Sequence, residues 1–297
     1  MKIEEHIDST TDSLIKGLVP VLRIMAKIDS SNDADISLNL SSDTFVSPVF
    51  ILAMIVYKST CSKKITITGA NQNYLKTIGF YSSEIKPDEI RKSEFLALME
   101  GYSHKTYIPI ISFPAKTNSD QKDVILSVVE GIIIRQVGIA QNVANGIKYM
   151  VEEIIDNITE HSHTDRGFIF AQAYKYKGFV DICIADKGIT LLGSYKNANN
   201  NDISDDMEAL KAANRRISSK NRPEAENRGF GIYTSKKMLI EGLQGEYLMI
   251  SGNSIYTKNR NFDKFYTLPH KIRWNGTIVA FRIPYQSAEF NYINYLE

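Results

Sequence analysis

The sequence predicts an α/β protein of two units that meet near residue 115. Strand-like and helix-like segments alternate through residues 36 to 78, the order of a small parallel α/β unit. A long helical stretch, Asp123 to Ser162, then leads into two apolar β segments, Gly167 to Tyr174 and Phe179 to Asp186. Between these lies a charged stretch from Glu84 to Asp120 that carries Pro87, Pro109 and Pro114, and the junction is placed there. The expected units are therefore 1–115 and 116–297.

Composition narrows the function classes. With 297 residues and 43% hydrophobic content, the chain can bury a sizeable core in each unit. Its 35 basic and 34 acidic residues nearly cancel, so no global field draws in nucleic acid or an anionic membrane, and partners must be recognised locally. The two cysteines, Cys61 and Cys183, stand in separate contexts with no metal-ligand spacing and no disulfide framework. Met1 to Asp12 is polar where a secretory signal needs an apolar run, and the apolar stretch Val49 to Tyr57 is far short of a membrane span. These features predict a soluble protein of the reducing cytoplasm.

In the first unit, Leu14, Leu18, Val21, Leu22 and Met25 recur at helical spacing around Pro20, which reads as a short helical lead-in over residues 1 to 29. Ile36-Ser-Leu-Asn-Leu40 alternates as a half-buried strand, Ser47-Pro48 opens a helix with Pro at its first position, Lys64 to Thr68 is a second strand, and a helix follows near Asn71 to Ile78. The strand near Ile36, the helix entry Phe45-Val-Ser-Pro48 and the segment Asn73 to Phe80 resemble the STAS domain of anti-sigma-factor antagonists. In that family a Ser or Thr at this helix entry accepts a phosphoryl group, a role that maps to Ser47. The usual Asp-Ser-Gly context is absent here, and a Ser before Pro is also a plain N-cap. Apolar faces in this unit serve either association of two chains into a homodimer or docking within the chain.

The second unit is expected to hold two helices with a bend near Gly138, the hairpin around Lys175 to Gly178, and a polar stretch from 193 to 228 with one helical piece at Met207 to Ala213. A helix from Ile232 to Glu241, a strand from Glu246 to Ser251, a hairpin through Asn253 to Lys258 and a terminal strand from Thr277 to Pro284 complete it.

Four segments of this unit carry chemistry. On the second helix Ile147, Val151, Ile154, Ile155 and Ile158 form a core stripe, while Glu153, Asn157 and His161 share another face at steps of four. Asn157 suits a hard cation whose other ligands are phosphate and water, and Glu153 suits a base or water-orienting role; the same pattern also describes a solvated polar face. Asp186 ends an apolar strand, where a carboxylate needs a partner, and Gly188 permits a sharp turn or close approach to a flat ligand. Arg228-Gly-Phe-Gly231 opens a helix, where free amides and the positive dipole end suit phosphate, unless Gly229 and Gly231 are merely a flexible entry. Lys236 and Lys237 either approach phosphate or, as basic pairs on helix surfaces usually are, are solvated. No Walker-type loop is present, and Gly229-x-Gly231 does not follow a strand, which argues against the P-loop and dinucleotide folds.

Taken in order, Glu153 to Asn157, Asp186-Lys-Gly188, Arg228 to Gly231 and Asn275-Gly-Thr277 resemble the N box, the two glycine boxes and the final strand of the GHKL (Bergerat-fold, histidine-kinase-like) ATPases, over about residues 120 to 290. The resemblance implies a two-layer α/β sandwich, a mixed sheet with helices on one face, that binds ATP or ADP with magnesium. It implies Glu153 as the general base or water-orienting carboxylate, Asn157 as the magnesium ligand and Asp186 as the acceptor of the adenine amine. It further implies Gly188 as the close-packing turn, Arg228, Gly229 and Gly231 on the phosphate side, and Thr277 behind adenine. The first glycine box departs from the family, with Thr190 in place of its second glycine. Three functions follow as expectations: phosphoryl transfer to a protein serine or nucleotide control of a protein partner, an ATP-hydrolysing switch, or a module that holds nucleotide without turnover.

Overall fold

Residues 1 to 29 fold as a strand and a helix rather than a helical lead-in, because Ile3 and Ile7 alternate with exposed Lys2, Glu4 and His6 before the helical spacing begins. Glu5 shares the inward face and is answered by Arg23 Nε at 2.9 Å and Lys27 Nζ at 2.7 Å from the following helix. In this computed structural model the described residues are 1–7, 13–42, 46–69, 72–81, 84–102, 104–116, 119–137, 141–200, 202–215, 231–269, 271–285 and 290–295.

The chain opens with β1 (Lys2–Ile7), α1 (Leu14–Ser30), β2 (Asp35–Ser42), α2 (Pro48–Thr60), β3 (Lys64–Gly69) and α3 (Gln72–Thr77). It continues with α4 (Lys92–Tyr102), β4 (Tyr107–Pro114), α5 (Ser119–Val137), α6 (Gln141–His161), β5 (Arg166–Tyr174) and β6 (Phe179–Asp186). There follow α7 (Leu191–Asn197), α8 (Asp206–Ala213), α9 (Gly231–Lys237), β7 (Glu246–Gly252), β8 (Ser254–Lys258), β9 (Asp263–Thr267) and β10 (Trp274–Pro284). A π-helical turn, Met238–Gly242, extends α9.

β1, β2 and β3 form a parallel sheet of three strands. A seven-stranded sheet takes the order β4-β5-β6-β10-β7-β8-β9, with every neighbouring pair antiparallel. The molecule is thus of the α/β class. The large sheet is not mixed, and helices cover both of its faces rather than one. On one face, flanked by α5 and α9, α6 packs Ile147, Val151, Ile154 and Ile158 against Ile169, Ile184, Val279 and Phe281. On the other lie α1 and α2, whose far sides are covered by Ile3, Leu38 and Ile65 of the small sheet.

This layering explains α2. All its residues from Pro48 to Tyr57 are buried, because the helix is enclosed between two sheets and has no solvent face to make polar. The apolar faces of the first unit are satisfied by docking within the chain. Polar ties reinforce the contact: Glu246 Oε1 of β7 accepts from Ser13 Oγ at 2.7 Å and from Leu14 N at 2.9 Å, capping α1, and Tyr74 Oη donates to Gln172 Oε1 at 3.2 Å.

Two expectations are corrected by the topology. The stretch from Glu84 to Asp120 is not a linker but holds α4 and β4, and β4 is the edge strand of the large sheet, paired with β5. A boundary at 115 would therefore cut β4 from its own sheet and run through a hydrophobic cluster that extends from Ile3 to Ala280. α1 also continues through Pro20 from Leu14 to Ser30. No helix among the described residues is long and apolar enough to cross a membrane.

Candidate functional site

α6 forms where expected, with Ile147, Val151, Ile154, Ile155 and Ile158 buried on the sheet. Glu153 and Asn157 lie half-buried on another face one turn apart. Asn157 Nδ2 donates to the Glu153 carbonyl at 2.7 Å, so the amide nitrogen is used within the helix. Among the described residues no donor bonds Asn157 Oδ1, which leaves that oxygen for a ligand. No group of three or more His, Cys, Asp or Glu side chains that could hold a metal occurs among the described residues. One amide oxygen fits magnesium that draws its other oxygens from phosphate and water.

Asp186 closes β6 with its side chain 3% exposed. Its Oδ1 accepts from Gly188 N at 2.8 Å and its Oδ2 from Thr277 N at 3.1 Å. Burial raises its pKa from 3.8 to about 7, opposed by the two backbone amides. Among the described residues no cation pairs with it, and the protein donors that meet this buried carboxyl are the two backbone amides.

Glycines build the walls around this carboxylate. A Cβ on Gly188 would lie 1.9 Å from the Ser162 carbonyl oxygen, so only glycine lets the turn after β6 pass the end of α6. Ile189 N then donates to Ser162 O at 2.7 Å, tying the Asp186 turn to the helix that carries Asn157. Gly276 adopts φ +88°, and a Cβ there would lie 2.6 Å from Asp186 Oδ1.

The final-strand residue Thr277 reaches Asp186 through its backbone and the start of α7 through Ser251. Thr277 Oγ1 donates to Ser251 Oγ at 3.3 Å, Ser251 Oγ donates to Gly276 O at 3.0 Å, and Leu191 N at the start of α7 donates to Ser251 Oγ at 2.9 Å. Thr190, standing where a second glycine was expected, is the N-cap of α7 and accepts from Gly193 N at 3.3 Å. Ser251→Ala is expected to cost about 1–3 kcal/mol, since it strands the part-buried Leu191 amide and the buried Gly276 carbonyl at once. Urea unfolding measures it; a loss below about 0.5 kcal/mol, the range of neutral substitutions, would count against the hub.

Gly231 opens α9, which packs against α6, while Arg228 and Gly229 lie outside the described residues. Asp186, Gly188 and Thr277 are in direct contact, and Asn157 and Glu153 stand on the helix bonded to the same turn. Ser47 lies apart from them. It is buried as the N-cap of α2, its Oγ accepting from Val49 N at 3.2 Å, which is the cap role.

Sequence reasoning missed Ser251, because its partners lie 60, 25 and 26 residues away and no local pattern marks them. It also missed Asp206, a buried carboxylate that accepts from Arg273 Nη1 at 2.6 Å and Asn253 N at 3.0 Å and anchors α8 to the β7–β8 turn. An Asp beside the α8 cap Asp205 was the available signal, but two acidic residues at a helix start look alike until one is buried. Comparison of the chain with protein-family models, with curated proteins and with solved structures gives no match.

Proposed function

We propose that the chain is an ATP-binding regulatory protein of the GHKL (Bergerat-fold) superfamily, in which a STAS-like first unit is packed permanently on the second face of the nucleotide-binding sheet. The observation that carries this reading is Asp186. Its buried carboxyl is held by two backbone amides and, among the described residues, by no cation, at a strand end walled by Gly188 and Gly276. That arrangement suits a neutral planar ligand with an exocyclic amine, which donates to the carboxylate and lies flat against glycine.

Asn157 would hold the nucleotide's magnesium through Oδ1, and the metal supplies charge neutralisation on the phosphates. Glu153 stands one helical turn from Asn157 and would orient or deprotonate an attacking water or hydroxyl. Gly231, at the start of α9, would lie on the phosphate side; Arg228 and Gly229, given the same role by the resemblance, lie outside the described residues.

The burial of Ser47 favours a phosphoacceptor serine on another protein over one in this chain. Nucleotide-driven change of a protein-binding surface, with hydrolysis resetting it, is the companion reading. The test is phosphate release from magnesium ATP by wild type and by Glu153→Gln. Release that falls at least about a hundredfold in the variant supports catalysis at Glu153; equal release from both proteins rejects it. Asn157→Ala is expected to remove the magnesium dependence of nucleotide affinity in a titration with and without the metal.

A further inference from the structure

Lys236 is 7% exposed, although it belongs to a short helix with a second lysine beside it. Its Nζ donates to Asn214 O at 2.7 Å and approaches Asn214 Oδ1 at 3.4 Å. It also lies 5.0 Å from the ring centre of Tyr256 and 5.5 Å from that of Tyr233. Asn214 is the C-cap of α8, and its Nδ2 donates to Leu210 O at 2.8 Å. No carboxylate among the described residues pairs with this ammonium. Its charge is met by carbonyl dipoles at the negative end of α8 and by two aromatic faces.

α8 is in turn packed on α7 through Tyr195, Ile203, Ala209 and Ala212, and α7 begins at Leu191, whose amide is bonded to Ser251. A continuous set of contacts therefore runs from α9 through Lys236 and α8 to the Ser251–Thr277 wall of the candidate site. We propose that Lys236 is a positioning residue for that site: by donating to Asn214 it clamps the end of α8 to α9 and holds the α7–α8 pair in place. The effect on nucleotide affinity rests on the ATP-binding reading; the clamp itself does not.

Burial holds the Lys236 amine down at about 8, with Lys258 and Arg215 acting in the same direction and Asp263 opposing them. Lys211 of α8 is directed over Phe265, at 5.9 Å from its ring centre. The sign of the pH effect follows from linkage. A lysine released into water titrates near 10.4, so protonation favours release, and the clamped arrangement gains on the released one as pH rises from about 8 to about 10. The neutral amine still donates to the carbonyl, so deprotonation leaves the contact intact.

The experiment is hydrogen exchange on the full chain without nucleotide, paired with ATP titration, for wild type and Lys236→Met, which keeps the apolar stem. The clamp predicts exchange in residues 206–215 faster by about tenfold or more, unchanged exchange in α6 and β10, and ATP affinity about tenfold weaker. Unchanged exchange in α8 overturns the clamp. Faster exchange with unchanged ATP affinity overturns the positioning role. Faster exchange in a chain whose wild type binds no ATP upholds the clamp and rejects the nucleotide reading. Should the variant not fold, NMR titration of wild-type lysine side chains decides: an amine titrating near 8 is expected for Lys236, and one titrating with the solvated lysines overturns the proposal.

Discussion

If the chain binds ATP as proposed, replacing Asp186 by Asn is expected to abolish the rise in melting temperature that ATP should give the wild-type protein. The variant is nearly isosteric, yet it turns one acceptor oxygen into a donor that faces either Gly188 N or Thr277 N, and it removes the charge that an exocyclic amine would meet. A charge-assisted bond is worth about 1.5–3 kcal/mol, so affinity should fall roughly tenfold to a hundredfold even if the pocket keeps its shape. Each protein's shift is read against its own melting temperature without ATP, which separates lost binding from lost stability. A shift in the variant equal to wild type would remove Asp186 from the site.

The same carboxyl predicts a pH dependence. Burial raises Asp186 to about 7 from 3.8, so between those values the folded protein holds a proton that the unfolded chain has released. Its contribution to stability is therefore greatest at low pH and is lost as pH rises through that window, levelling above about 7. Nucleotide runs the other way. An adenine amine favours the ionised carboxylate, so ATP affinity should be highest above about pH 7 and fall by up to about tenfold per unit below it. Asp186→Asn should lose that slope.

The second large effect concerns the first unit. A fragment of residues 116–297 should fail to fold as a soluble monomer, because it loses edge strand β4 and uncovers Phe168, Phe170, Leu248, Ile250 and Trp274. Leaving each such side chain in water forfeits about 1.5–3 kcal/mol. Together they match the whole stability of an ordinary domain, about 5–15 kcal/mol. The full chain should melt in a single calorimetric transition. A soluble fragment with its own cooperative transition would show that the two halves are separate folding units.

Local features were legible in the sequence wherever neighbours decide them. The hairpin from β5 to β6, the Ser47-Pro48 entry to α2 and the buried stripe of α6 each depend on residues within a few positions, while the bend expected near Gly138 lies outside the described residues. β4 was hidden by Pro109 and Pro114, which an edge strand tolerates because one side of its backbone has no partner strand. β9 was hidden for a related reason. As the opposite edge it is mostly exposed and carries no apolar alternation.

By itself the sequence determined the α/β class, the core face of α6, and the turn from Asp186 to Gly188 that ends β6, whereas the contact of Thr277 N with Asp186 joins residues 91 apart. The tertiary structure alone decided that α1 and α2 lie between two sheets, that Lys236 is buried, and that Ser251 joins α7 to the last strand. Periodicity states which side of an element is apolar, but not which distant surface covers it. α2 is apolar on every side, and that pattern is the same whether a membrane, a second chain or two sheets of its own chain enclose it.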